Sequence, residues 1–371
     1  MSAGSRSAAE WIDVLGTAAY PAARTAFAFG DCRVELRTNS VELCDRLRAY
    51  YGEFVDDSPG ATVSVVALEA PPPHLDLPFQ TRAPDPGKRS VKEEFVDFPD
   101  GRVIRKRRTG MVFAYAGDRH LAYGPCLAND NQVVNFLNNR YIEWLLDRGY
   151  ILGHAAAVTR GARGLALAGV SSAGKSTLAL HLAAAGLDFV SNDRVLLRRE
   201  RERVDLRGVP KLPRVNPGTL LHNPRLRTVL TPEARTRAAA LSEPELWALE
   251  DKHDVHLTAC FGPGRFRLAT TLTALVIVSW RRGVVPFRIR PVDLGERRDL
   301  LGALMKPVGL FYHAPLTAPR PEPYLENLRS VPTFAIEGGV DFAGASEACL
   351  RLLEPPAAGN QPAWAAGRGA R

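Results

Sequence analysis

Cysteine pairs, membrane-length apolar runs and a secretion leader are all missing from this chain, and each absence closes off a class of protein. The five cysteines (Cys32, Cys44, Cys126, Cys260 and Cys349) are scattered and form no Cys-x-x-Cys pair. Neither a zinc site nor a disulfide framework is therefore indicated. No apolar run approaches the roughly 20 residues that a membrane-spanning helix needs. The opening MSAGSRSAAEWIDVLG holds two acids and no long apolar core, and does not read as a secretion signal. The expectation is a cytoplasmic protein with no membrane partner.

What is present is an ordinary globular composition, 46% hydrophobic and 24% charged over 371 residues, long enough for two or three domains. The net charge of +8 could mark a nucleic-acid surface. Its surplus, however, falls in short patches, such as Arg105-Lys106-Arg107-Arg108 and Arg198-Arg199-Glu200-Arg201. Both patches lie in alternating segments, where solvated strand faces account for them without a nucleic-acid partner.

Along the chain, AFAFGDCRVELRT, SVELCDRLRAYYGEF and ATVSVVALE read as strand, helix and strand. The proline-rich APPPHLDLPFQTRAPDPGK reads as a loop, and residues 91–124 as antiparallel strands turning at Pro99-Asp100-Gly101 and Gly117-Asp118. A helix is expected over 131–148. In it Val133, Phe136, Leu137, Tyr141, Trp144 and Leu145 make a buried stripe. HAAAVTRGARGLALAGV gives two strands about an Arg-Gly turn, and RVLLRRERERVDLRG gives a hairpin. LTALVIVSW and VPFRIRPV are strands joined near Arg281–Gly283, and GERRDLLGALM is a helix. RGVPKLPRVNPGTLL reads as a loop with Lys211 and Arg214 as candidate anion binders, and EDKHDVHLT (Asp251, His253, Asp254, His256) as a polar loop rather than a metal site. The expected domains are a small α+β domain over 1–128, a second domain over 129–354 and a disordered tail over 355–371.

One stretch carries chemistry. Gly169-Val170-Ser171-Ser172-Ala173-Gly174-Lys175-Ser176-Thr177 fits G-x-x-x-x-G-K-[ST] at every required position. It follows the apolar strand LALAGV and precedes the helical STLALHLAAA, the order a phosphate-cradling loop requires. Backbone N–H groups and the helix N-terminus would face phosphate oxygens. Lys175 would reach the β- and γ-phosphates, and Ser176 would ligate Mg²⁺. The acid-terminated distal strand of GTPases and ABC or AAA-type ATPases is absent, since LTALVIVSW ends in Ser279-Trp280. No NKxD-type guanine reader occurs. The acid at a strand end close to the loop is Asp193 in FVSND, 18 residues past Lys175, and Asp205 follows on the next hairpin.

Together the run from His154 through Gly169–Thr177, Ser191-Asn192-Asp193 and Val204-Asp205-Leu206-Arg207-Gly208 resembles the core of the HPr kinase/phosphorylase superfamily. It is most similar to the HPr-kinase-related kinases, with a phosphoenolpyruvate-carboxykinase-like core over about residues 130–310. The resemblance implies an α/β kinase domain of that type over 129–354. It implies Mg-ATP-dependent transfer of the γ-phosphoryl group to a hydroxyl, often a serine of a small protein partner. His154, Lys175, Asn192, Asp193 and Asp205 would be catalytic, Gly169–Thr177 would bind nucleotide, and Ser176 and Asp193 would hold the metal. Arg290 and Arg297 lie where the family carries basic residues, and oligomers occur in the family. This chain departs where the family has an acid pair, because the first position is Asn192, and an amide cannot take a proton. Asp193 or His154 could be the base, the proton could leave late without help, or the chain could bind ATP without turnover. A small-molecule kinase with the same core is the other alternative.

Overall fold

AFAFGDCRVELRT folds as two strands rather than one, Ala23–Phe29 and Cys32–Thr38, paired antiparallel with Phe29 opposite Cys32. The left-handed backbone of Gly30 (φ 65°) turns the chain between them. In the computed structural model, residues 6–17, 20–81, 91–281, 286–312 and 317–355 are described. The turn expected near Arg281–Gly283 and nearly all of the C-terminal tail lie outside them. The chain divides into two compact units: Met1–Leu145 with Val308–Thr317, and Leu146–Pro307 with Ala318–Arg371. Both mix helices with sheet, so the protein is mixed α and β.

The first unit is built on an eight-stranded sheet. Its helix Val41–Tyr51 starts where the Ser40 hydroxyl accepts from the Leu43 N–H at 3.1 Å, satisfying one of the donors that a helix start leaves open. Strands Glu93–Phe98, Gly101–Lys106, Val112–Ala116 and Arg119–Gly124 form an antiparallel run. In the helix Asp130–Leu146, Val133, Phe136, Leu137, Tyr141 and Leu145 are buried. Trp144 is only half-buried and stacks on Tyr141, so it edges this core rather than filling it. Segment 308–312 belongs to the same unit: Phe311 meets Phe113 edge-on at 5.3 Å, and the Leu310 carbonyl accepts from Arg102 and Tyr115.

A nine-stranded sheet forms the second unit. Strand Ala155–Arg160 runs antiparallel to Arg163–Gly169 and to Asp188–Ser191. Arg163–Gly169 runs parallel to Ala269–Val278, which in turn runs parallel to Thr333–Glu337. Gly169 is level with Val278, and Val278 with Ile336. Three parallel strands therefore end together, and the chain leaving the first of them at Gly169 emerges at that carboxyl edge. Helix Lys175–Ala184 packs back on the sheet through Leu178 and Leu182, both fully buried, as their i, i+4 spacing requires.

Two expected irregular or helical stretches fold otherwise. Part of RGVPKLPRVNPGTLL is ordered: Arg214–Val215 pairs with His253–Asp254, and Pro217–His222 is a helix with Asn216 at its N-cap and Pro217 at its first position. A proline there loses no hydrogen bond, because that N–H is unpaired in any helix. GERRDLLGALM is reduced to a 3-10 turn, Arg298–Ala303. Gly302 disfavours an extended helix here, and the N–H groups of Leu304 and Met305 both close on the Leu301 carbonyl.

The hairpin Val195–Glu200/Arg203–Gly208 begins with Val195 opposite Gly208. A Cβ at Gly208 would sit 2.0 Å from the Val190 carbonyl oxygen. Gly208→Ala should therefore cost about 2–3 kcal/mol or more in urea unfolding. Wild-type stability in that variant would mean the two backbones can part freely.

Candidate functional site

Loop 170–174 starts from a root that only glycine fits: a Cβ at Gly169 would lie 2.8 Å from the Val278 carbonyl oxygen. Ser172 (φ 65°) and Gly174 (φ 84°) then take left-handed backbone, which reverses the chain into the helix. Gly174 occupies the N-cap and offers no side chain to the helix start. The first N–H groups, those of Lys175, Ser176 and Thr177, have no partner within the helix. A helix start of this kind favours an anion. Val170, Ser171 and Ser172 are exposed, and Ser176 is half-buried.

Aromatic packing holds the loop from behind. The Trp280 indole donates to the Ala173 carbonyl at 2.8 Å, with Trp280 itself 7% exposed. Phe342 packs edge-on against Trp280 at 4.9 Å and stacks on His181 at 5.3 Å. A Cβ at Gly174 would meet the Phe342 ring at 3.2 Å. Thr177 is turned the other way, its hydroxyl 2.8 Å from that of Thr219 in a buried contact.

Lys175 is buried and donates to the Gly169 and Val170 carbonyls at 2.8 and 3.0 Å. Burial pushes its ammonium down to about 8, against the opposing pull of Asp193 and with help from Lys306. Asp193 is the hub. Ala155 is paired with Ala168, which places His154 beside the root of the loop, and Ser191 pairs with Ala157 on the other flank. The chain then runs through Asn192 to Asp193, whose Oδ1 lies 3.1 Å from His154 Nε2. Its Oδ2 lies 3.5 Å from Lys306 Nζ and 3.8 Å from Arg194 Nε. Burial raises the Asp193 carboxyl, but the His154 hydrogen bond and the charges of Lys306, His154 and Arg194 together outweigh it. They hold it well below the usual carboxylate range. Asn192 Oδ1 is buried with no hydrogen-bond partner. Lys211 lies within electrostatic reach of Asp193. Burial first, and then Arg194 and Arg214, push it down to about 8, against Asp193 and Asp254.

Lys306 gave no sequence signal, since it lies 113 residues from Asp193. Backbone pairing delivers it: the His154 N–H donates to the Leu304 carbonyl at 2.6 Å, and Gly153 bridges to Met305. The Tyr324 hydroxyl accepts from the Lys306 N–H at 3.3 Å and donates to the Leu152 carbonyl at 2.5 Å.

Asp205 is not brought to this cluster. It pairs with Arg198, three residues along the hairpin from Gly208, or about 10 Å at ~3.3 Å per residue. Its carboxylate accepts from Tyr150 and, at 2.8 Å, from Arg207. Arg290 and Arg297 pair with Glu337 and Asp299. His253 lies 3.0 Å from Asp251, and Arg214 is 3.1 Å from Asp254. Among the described residues no group of three His, Cys, Asp or Glu could hold a metal ion, and no helix is long and apolar enough to cross a membrane. A cavity of about 480 Å³ lined by Val292, Leu294, Leu328, Val331 and Phe334 contains none of the site residues above.

No family model matches the sequence, and no curated protein matches it. Among solved structures, the Hpr(Ser) kinase/phosphatase from Coxiella burnetii is similar over 54% of this chain and 93% of its own, at 10% identity and a TM-score of 0.28. Likeness at that level fixes neither fold nor activity, and the residues themselves carry the functional reading.

The two lysines held near 8 make stability depend on pH. Between about 8 and the 10.5 of an ordinary lysine, the unfolded chain binds more protons than the folded one, so each lysine makes stability rise with pH. Below about 8 both are charged in either state, and the cost of burying them is felt in full. Lys175→Met should be more stable than wild type at pH 7, and the difference should shrink from pH 8 to 10, by at most ~1.4 kcal/mol per pH unit. Urea unfolding at each pH reads this difference, and a constant gap would show that Lys175 carries no burial penalty.

Proposed function

We propose that the protein is an ATP-dependent phosphotransferase moving the γ-phosphoryl group to a hydroxyl, with a serine of a protein partner as the favoured acceptor. The observation that carries this reading is the pairing of a cation-bearing helix start with a carboxylate. Lys175 lies at the uncapped start of its helix, within electrostatic reach of Asp193, which is gripped by His154 and Lys306. Phosphoryl transfer asks a protein mainly for positioning and charge neutralisation, and this cluster supplies both.

The side chains suit a magnesium ion that arrives with the nucleotide. Mg²⁺ keeps most of its waters and takes one or two protein oxygens beside the phosphates; Ser176 and Asp193 Oδ2 would be those oxygens. The ion would neutralise phosphate charge when bound. In the reaction, the acceptor oxygen bonds to the γ-phosphorus while the bond from that phosphorus to the β,γ-bridging oxygen breaks. ADP keeps the electron pair. The hydroxyl proton needs a base, and a carboxylate as strongly stabilised in its charged form as Asp193 is a poor one. Asp193 instead fixes the imidazole of His154 through Nε2, and the ring's other nitrogen takes the proton, the division of labour seen wherever an acid orients a histidine base. The orphaned amide oxygen of Asn192 accepts a hydrogen bond from the hydroxyl without taking its proton.

A nucleotide-binding regulator without turnover is the second reading, favoured by Asn192 standing beside so weak a base. Purified protein with γ-labelled ATP, magnesium and cell extract separates the two. Transfer to a protein band or a metabolite is expected, with Lys175→Ala lowering it at least ~100-fold and His154→Asn by ~100-fold or more. Nucleotide binding without transfer in wild type would establish the regulator. Transfer untouched by Lys175→Ala would remove the loop from the chemistry.

A further inference from the structure

Lys175 has little left to give a ligand. An ammonium carries three donors and no acceptor. Lys175 places two of its donors on the loop's own carbonyls, at 2.8 Å from Gly169 and 3.0 Å from Val170. One donor remains, whereas a phosphoryl group in transfer spreads its charge over three equatorial oxygens. Lys306 is placed differently. Its backbone is fixed: the Leu304 carbonyl accepts from the His154 N–H at 2.6 Å, Met305 bridges to Gly153, and the Lys306 N–H donates to the Tyr324 hydroxyl at 3.3 Å. Its head is held loosely. Among the described residues the ammonium has one partner, Asp193, with Nζ 3.5 Å from Oδ2. That is well outside the roughly 2.7–2.9 Å of a closed N⁺–H···O⁻ pair. A quarter of the side chain is exposed, and a lysine head on its flexible four-carbon stem can turn to another partner without moving the backbone.

We infer that Lys306 is a further catalytic residue, whose ammonium binds an oxygen of the phosphoryl group during transfer. This inference rests on the phosphotransferase reading and adds a residue to its site. In that reading Asp193 Oδ2 is an oxygen for magnesium, and Lys306 is the group that faces the same oxygen. An ammonium and a divalent cation on one oxygen repel each other. Lys306 therefore gives up Oδ2 and turns to the other anion of the site, the phosphoryl group. There it neutralises charge on the phosphoryl oxygens while the acceptor oxygen bonds to phosphorus and the bridging oxygen leaves with its electron pair. It donates hydrogen bonds throughout and loses no proton. The plainer alternative is that Lys306 only holds Asp193 in place. Removing such a lysine would loosen an oxygen needed by the metal, whereas removing a lysine that competes for that oxygen would free it. The two roles predict opposite changes in the magnesium requirement.

The test uses full-length protein with ADP, magnesium and aluminium fluoride, a mimic of the phosphoryl group in transfer. Calorimetry first follows ADP binding as magnesium is raised at constant ionic strength. Lys306→Met should reach half-saturation at a magnesium concentration lower than wild type by about twofold or more, because one competing charge is gone. Its affinity for ADP at saturating magnesium should stay close to wild type. Trapping of labelled ADP by aluminium fluoride should then fall by ~10-fold or more in Lys306→Met, and transfer from γ-labelled ATP in cell extract by ~100-fold, the loss expected for one such donor. Lys306→Arg, which keeps the charge, should recover part of both. A higher magnesium requirement in Lys306→Met would assign the lysine to holding Asp193 and overturn the inference. So would trapping at the wild-type level in that variant. Either result leaves the kinase reading standing. Failure of the wild type to bind ADP, or to trap it with aluminium fluoride, would remove that reading and the inference with it. Unchanged near-ultraviolet dichroism in Lys306→Met excludes a folding defect, and Lys306→Gln supplies the same comparison if that variant does not fold.

Discussion

Parallel pairing of Arg163–Gly169 on Ala269–Val278 is the constraint from which the site follows. It sets Gly169 level with Val278, so that the residue two places beyond the partner strand, Trp280, comes over the loop and takes the Ala173 carbonyl. A strand that ended one residue earlier or later would present the indole to a different peptide. Parallel strands also end at one edge, and crevices outside the carboxyl ends of such strands are where ligands settle in sheets of this kind. The loop is therefore both located by the sheet and stiffened by a side chain from the neighbouring strand. Most of its order is in place before any ligand arrives. Pre-ordering of this sort lowers the entropic cost of binding.

Electrostatics supplies the second layer, and it works against stability. Burying Lys175 and crowding Lys211, Arg194 and Lys306 about one carboxylate is unfavourable in the free protein. The strained protonation of the two lysines is its signature. Proteins tolerate such arrangements where binding reverses the cost. Asp193 offsets part of that cost, because its oxygens face groups from different parts of the chain: His154 on one side, Arg194 and Lys306 on the other.

Legibility in the sequence tracked locality. The loop, the helix after it and the hairpin 195–208 were readable because each rests on spacing within a dozen or so residues, where glycine, apolar period and turn chemistry act directly. Asp193 was readable as a candidate from its distance to the loop, and His154 from the family resemblance. Asp205 was not separable from them on the page of the sequence. Only pairing with Arg198 and capture by Tyr150 and Arg207 show that it faces a different neighbourhood. Lys306 and Trp280 were invisible for the complementary reason. Their relation to the loop exists only through strand register and through the bridge between Gly153 and Met305, and nothing local marks a lysine followed by a proline as part of a site. The helix expected over 295–305 failed on local grounds, since Gly302 and closure on Leu301 favoured the tighter turn.

Asn192 looks like a deficiency when it is compared with an acid pair, and like a fitted part when it is compared with its own surroundings. An acid there would add a second negative charge beside Asp193 and oppose the burial that pushes Lys211 and Lys175 down. An amide adds no charge there and keeps an acceptor oxygen buried with no hydrogen-bond partner. On the proposed phosphotransferase reading, an amide at this position removes one route for the hydroxyl proton and leaves the imidazole that Asp193 touches as the other.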